Sequence, residues 1–169
     1  EEVDEWETVM TIEGDYADFA HLETLYLGIL ARQSRIATNV RRVVKAANGK
    51  PVLFFPARYD IYQTQESDGY AALVGGIHGF STDANALAAG GKGLGTIPHA
   101  LIASYKGDTV AATEAFDKYV DPSIARIALV DFDNDCVNTS LAVARKLGKK
   151  LAGVRLDTSG SMVDKSLWT

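Results

Sequence analysis

The sequence has one cysteine, Cys136, so no intramolecular disulfide can form, which favours a reducing compartment. It has no basic excess either. Seventeen Lys and Arg stand against 22 Asp and Glu, a formal net charge of −5. A mildly acidic surface argues against broad binding of nucleic acid or anionic membrane. It still allows a small anion held by basic residues gathered in a cleft. No apolar run is long enough to span a bilayer. No signal-peptide pattern follows the acidic start, Glu1 to Trp6. A cytoplasmic protein with no nucleic-acid or membrane partner is expected. There is no clear internal repeat and no low-complexity tract.

What is present is an ordinary globular composition. The 169 residues are 47% hydrophobic and 23% charged, which suits one domain with a real core. The chain opens with Glu and stops at Thr169 just after a helix-like start, so both ends are expected to be cuts.

Apolar periodicity alternates along the chain between strand and helix. Val9, Met10 and Ile12 read as a short strand. Phe19, Leu22, Tyr26, Ile29, Ile36, Val40 and Val43 recur at helical spacing, with Asp18 as a cap and Asn48-Gly49 as the stop. Pro51 to Phe55 reads as a buried strand, and Tyr70 to Gly79 as a helix. Leu94 to Ile97 reads as a strand and Ala100 to Tyr105 as a helix. A helix capped by Asp108 runs to Val120, before Asp121-Pro122. Ile124 to Val130 is a strong strand, Cys136 to Leu147 a helix ending at Gly148, and Leu151 to Leu156 a strand. A last helix starts at Ser161. Alternation with continuous apolar strands predicts a parallel α/β sheet covered on both faces. It fits either a (β/α) barrel or an open doubly wound sheet. In both, chemistry belongs just past the strands.

Four segments place unusual polar residues there: Pro56 to Asp60, Pro98 to Ala100, Asp131 to Asp135, and Arg155 to Gly160. On parallel strands all four emerge on one face. Arginine binds phosphate bidentately, and carboxylates hold Mg²⁺ or ribose hydroxyls. That is equipment for a phosphorylated sugar. Each residue alone also has a structural reading. Arg58 fits a surface loop, His99 a helix start, Asp135 a helix cap, and Arg155 with Asp157 an ion pair. Recurrence after successive strands favours the functional reading.

Other motifs fail on their chemistry. Asp131, Asp133 and Asp135 begin like a calcium loop, but Cys136 and Ala142 stand where Gly and Glu are needed. Gly90 to Gly95 is glycine-rich, but Lys92 is followed by Gly rather than Ser or Thr. Pro98 occupies the third glycine position of a dinucleotide fingerprint. His21, His78 and His99 are too widely spaced for a zinc motif. There is no Gly-x-Ser-x-Gly elbow.

Six stretches in one order resemble the nicotinate phosphoribosyltransferase family: Glu13 to Thr24, Arg35 to Asn39, Phe54 to Arg58, Gly95 to Ile102, Val130 to Cys136 and Gly153 to Gly160. The resemblance implies a type II phosphoribosyltransferase fold, an irregular parallel (β/α) barrel, here a partial barrel. Family members are longer, so residues 1–169 would be the central catalytic barrel domain, with amino-terminal and carboxy-terminal parts beyond it. The implied reaction joins nicotinate to phosphoribosyl pyrophosphate. It yields nicotinate mononucleotide and pyrophosphate, coupled to ATP hydrolysis, with Mg²⁺ and a homodimer. It assigns phosphorylation to His99 and substrate contacts to Arg58, Thr96, Arg155 and Asp157. Asp131 and Asp133 are the implied metal ligands. Two alternatives remain: a decarboxylating quinolinate phosphoribosyltransferase, without ATP or phosphohistidine, and a non-catalytic ligand-binding barrel.

Overall fold

Parallel strands need a crossover between them, and a helix supplies it. The computed structural model, which describes residues 2–56 and 58–168, contains two such strand–helix–strand units. In the first, β1 (Leu53–Phe54) pairs with β2 (Gly79–Phe80), register Leu53 to Gly79, and α3 (Gln65–Val74) connects them. In the second, β3 (Arg126–Leu129) pairs with β4 (Leu151–Arg155), register Leu129 to Arg155, across α7 (Cys136–Leu147). The fold is mixed α/β with short parallel strands. The described residues form two two-stranded sheets and no closed barrel.

The segment before His99 lies between the sheets. It was expected to be a strand, but among the described residues it makes a single ladder-like bond, from the Leu94 amide to the Phe80 carbonyl (2.7 Å). Gly93 and Gly95 interrupt its pairing surface. A Cβ on Gly93 would come within 2.6 Å of the Thr82 backbone, so the chain can pass there only as glycine. Ile97, at its end, is fully buried with Ala128, Leu129 and Val130 of the second sheet. Ile102 of α5 (His99–Ser104), Phe116 of α6 (Thr109–Tyr119) and Val143 of α7 close that core. Each large apolar side chain so buried contributes roughly 1.5–3 kcal/mol.

The first unit packs around helices. The short α1 (Tyr16–Phe19) is capped by Asp15, not Asp18, and a 3₁₀ turn over Ala20–Leu22 leads into α2 (Glu23–Ala46). Asn48 and Gly49, both at positive φ, turn the chain after α2 as expected. Only Val40 of its apolar stripe is buried, with Ile36 and Val44 beside it. Ile29 and Val43 face outward. Glycines bring the helices together. A Cβ on Gly75 would lie 2.7 Å from the Ala37 carbonyl of α2. One on Gly69 would lie 2.0 Å from the Asn85 carbonyl of α4 (Asp83–Ala86).

Other expectations shift for local reasons. The helix expected over Tyr70–Gly79 runs over Gln65–Val74, because Gly75 and Gly76 end it and Gly76 takes φ +91°. The segment after it becomes β2. Val9, Met10 and Ile12 form no strand; they stay exposed, with no strand pairing them among the described residues. Ser161 starts no α-helix. Only a 3₁₀ turn, Lys165–Leu167, follows. No described helix is long and apolar enough to cross a membrane.

Candidate active site

Three loops meet past the ends of the 94–97 segment, β3 and β4. Pro98, extended at φ −85° and ψ 155°, precedes α5 and makes His99 its first helical residue. β3 leads straight into Asp131, whose side chain is completely enclosed. Asp135 then caps α7 through the Asn138 amide, as the sequence suggested. β4 ends at Arg155 and delivers Asp157 and Thr158 to the same place.

Asp131 is the hub. Its Oδ1 lies 3.0 Å from His99 Nε2. Its Oδ2 accepts from the Thr158 hydroxyl (2.7 Å) and from the Asp157 amide. Burial pushes the Asp131 carboxyl up. The bonds from Thr158 and Asp157 and the nearby His99 outweigh it and hold the group below the usual carboxylate range. An ionised carboxylate only accepts. Nε2 must therefore carry a hydrogen, and in the neutral imidazole the lone pair then lies on Nδ1. Nδ1 lies 4.0 Å from Asp157 Oδ2, and the imidazole is about two-fifths exposed, open to a ligand. Phe132 lies beside it, ring centroids 6.4 Å apart.

Arg155 ties two of the loops together. Nη1 donates to Asp157 Oδ2 (3.0 Å) and Nη2 to the Ile97 carbonyl (3.1 Å). Its buried Nε has no partner among the described residues. A donor left so costs about 1–3 kcal/mol unless something else satisfies it. The ion pair expected between Arg155 and Asp157 exists, and Asp157 places it beside His99.

The structure brings together His99, Asp131, Arg155 and Asp157. Thr96 is half-buried two residues before Pro98 and makes no side-chain hydrogen bond among the described residues. Asp133 is exposed on the turn after Asp131. Arg58 is exposed in the turn after β1, and no described hydrogen bond or ion pair joins it to the His99 group. Asp131 and Asp133 by themselves do not make a closed cation cage. Asp131 spends both oxygens on protein donors, and no group of three or more His, Cys, Asp or Glu is arranged for a metal among the described residues. Sequence reasoning missed Thr158. Its only signal was its place beside Asp157, because a hydroxyl that braces a buried carboxylate has no sequence pattern of its own.

The same end of the chain is fixed from outside. Asp164 accepts from the Cys136 amide (2.8 Å) at the start of α7, and the Lys165 amide donates to the Asn134 carbonyl (2.8 Å). The Cys136 thiol and the donors of Cys136 and Ser166 hold the Asp164 carboxyl far below the usual range. Burial, with Asp164 beside it, pushes the Cys136 thiol up to about 11.

No family model matches the chain. The chain is 31% identical over 159 residues to nicotinate phosphoribosyltransferase pncB1 of Mycobacterium tuberculosis, covering 89% of this chain and 34% of that protein. It is 30% identical over 144 residues to pncB2 of the same organism, covering 81% and 30%. The chain thus spans about a third of the length of these curated relatives. Its structure is similar to the crystal structure of nicotinate-nucleotide pyrophosphorylase from Pyrococcus furiosus. The TM-score is 0.81 at 44% identity, over 88% of this chain and 38% of that one. The resemblance to the nicotinate phosphoribosyltransferase family, visible in six short stretches, therefore holds over most of the chain.

Proposed function

We propose that this chain carries the catalytic histidine and part of the sugar site of a phosphoribosyltransferase that joins nicotinate to phosphoribosyl pyrophosphate, coupled to ATP hydrolysis. The single observation that carries the reading is His99, held through Nε2 by a buried, ionised Asp131, with its ring partly exposed and Nδ1 making no close hydrogen bond among the described residues. An imidazole so oriented is a nucleophile near neutral pH. Nδ1 attacks the terminal phosphorus of ATP, ADP departs, and water later releases phosphate from the histidine.

The sugar chemistry needs no strong base. The pyridine nitrogen brings its own lone pair to ribose C1 as the bond to pyrophosphate breaks. Positive charge grows on the sugar and negative charge on the leaving group, which fixed cations stabilise. Arg155 and Arg58 are assigned to the anionic groups, Asp157 to ribose hydroxyls and Thr96 to the incoming phosphate. Any Mg²⁺ belongs to the polyphosphate substrates, because the carboxylates here do not form a cage for it.

The names of the relatives support phosphoribosyl transfer that involves nicotinate nucleotide, and the choice between nicotinate and quinolinate as the base rests with experiment. ATP coupling separates this reading from the quinolinate alternative. The test uses the full-length protein with nicotinate or quinolinate, with and without ATP. His99→Ala should abolish ATP hydrolysis and ATP stimulation while slow synthesis persists, since the Arg and Asp groups remain. ATP-independent turnover of quinolinate with release of CO₂, or full ATP stimulation in His99→Ala, would sink the reading.

A further inference from the structure

The first strand–helix–strand unit holds a charge cluster that the proposed chemistry does not use. Arg32 on α2 grips Asp68 on α3 with two parallel bonds, Nε to Oδ1 (2.9 Å) and Nη2 to Oδ2 (2.8 Å). Nη2 also lies 3.0 Å from Asp60 Oδ1. The Asp68 side chain is almost wholly buried, whereas Asp60 and Arg32 are partly exposed.

Two of the three members stand on tightly packed helices. Asp68 precedes Gly69, where α3 touches the Asn85 backbone so closely that no Cβ fits. Asn85 in turn donates to the Gln65 carbonyl at the start of α3 (2.6 Å). α2 is locked against α3 at Gly75. The guanidinium is therefore fixed by the buried carboxylate, and Asp60 is the soft partner. Asp60 closes the turn that carries Arg58. That turn has little packing beneath it, because Pro56 and Asp60 line a cavity of about 330 Å³ with Ile36 and Phe54. Its described local tie is the Tyr59 amide to the Pro56 carbonyl (2.9 Å).

We propose that Arg32, anchored by Asp68, is a positioning residue that holds Asp60 and thereby fixes where Arg58 stands. The functional part rests on the reading of Arg58 as a phosphoribosyl pyrophosphate contact. Arginine is suited to this work because its planar fork serves two carboxylates in set directions. Asp68 and then Asp60 also raise its pKa, so its charge does not vary over any working pH.

The test uses the full-length protein and Asp60→Asn, which leaves the buried Arg32–Asp68 pair intact and so spares the fold. Hydrogen exchange at the Tyr59 amide should quicken about two- to fivefold, the scale of one partly exposed ion pair. Amides of α2 and α3 should not change. The KM for phosphoribosyl pyrophosphate should rise by a similar factor, with kcat within about twofold. Arg58→Ala should raise the same KM, and Asp60→Asn should add nothing in the Arg58→Ala background, because one residue acts through the other. Unchanged exchange at Tyr59, or effects of the two substitutions that multiply independently, would overturn the proposal. If exchange quickens while Arg58→Ala leaves KM untouched, the turn is held as described and the role of Arg58 in the functional reading fails.

Discussion

Replacing Asp131 with asparagine keeps the shape of the hub and removes its charge. Asp131 accepts three donors: His99 Nε2, the Thr158 hydroxyl and the Asp157 amide. Asparagine has one acceptor oxygen. That oxygen is expected to stay where Oδ2 is, facing two fixed donors. The amide NH₂ then faces His99 Nε2. Two donors cannot bond, so His99 must move its hydrogen to Nδ1 and accept at Nε2. The exposed nitrogen loses its lone pair, and the nucleophile is gone although the imidazole barely shifts. Loss of nucleophilic or acid–base help of this kind costs about 10²- to 10⁴-fold, or about 3–5 kcal/mol of activation free energy. The cost in stability should be smaller, about 1–2 kcal/mol, as charge-assisted bonds become neutral ones.

Mass spectrometry after incubation of the full-length protein with labelled ATP reads the first effect. A pH series reads the second. The Asp131 carboxyl is held below its ordinary value of 3.8 in the folded protein. Its contribution to stability is therefore complete above that value and is lost as pH falls through the lower, folded one. The stability gap between the wild type and Asp131→Asn should be constant near neutrality and should shrink in acid. If Asp131→Asn labels His99 as fast as the wild type, the tautomer argument is wrong. If the gap widens in acid, the account of the carboxylate is wrong.

Gly69→Ala should destabilise by about 3 kcal/mol, since its Cβ would meet the Asn85 backbone, which cannot give way as a flexible side chain can. Chemical denaturation measures it, and a loss below about 0.5 kcal/mol would show that α3 and α4 separate freely. Cys136 should resist thiol reagents: with its pKa raised to about 11, only about one part in a thousand is thiolate at pH 8. Rapid labelling of the native protein at pH 8 would contradict the burial and the Asp164 contact.

The second strand–helix–strand unit was legible because each of its signals is local. Asp108 and Asp135 cap the helices that follow them, Gly148 ends α7, and the apolar run Ile127 to Val130 carries β3 into the core. The first unit was harder to read, for a nonlocal reason. Gly69 and Gly75 look like helix breakers in a window of ten residues. In the structure they are the contact points of α3 with α4 and α2, so their value depends on residues such as Asn85 and Ala37. The same distinction divides the site. His99, Asp131 and Arg155 with Asp157 follow strands, so position alone marked them. Arg58 follows a strand too, yet it lies in a turn tied to Arg32 rather than bonded to His99. Standing after a strand gives direction but not distance. Arg32 and Asp68 carry no strand-end signal, and Thr158 and Asp60 stand past strands without a mark of what they bond, because the work of all four is done on other side chains. Periodicity finds the polar groups that stand past the strands. The groups that hold them in place become visible only when backbone separations of 27 residues, as between Asp131 and Thr158, or 36, as between Arg32 and Asp68, close to hydrogen-bond distance.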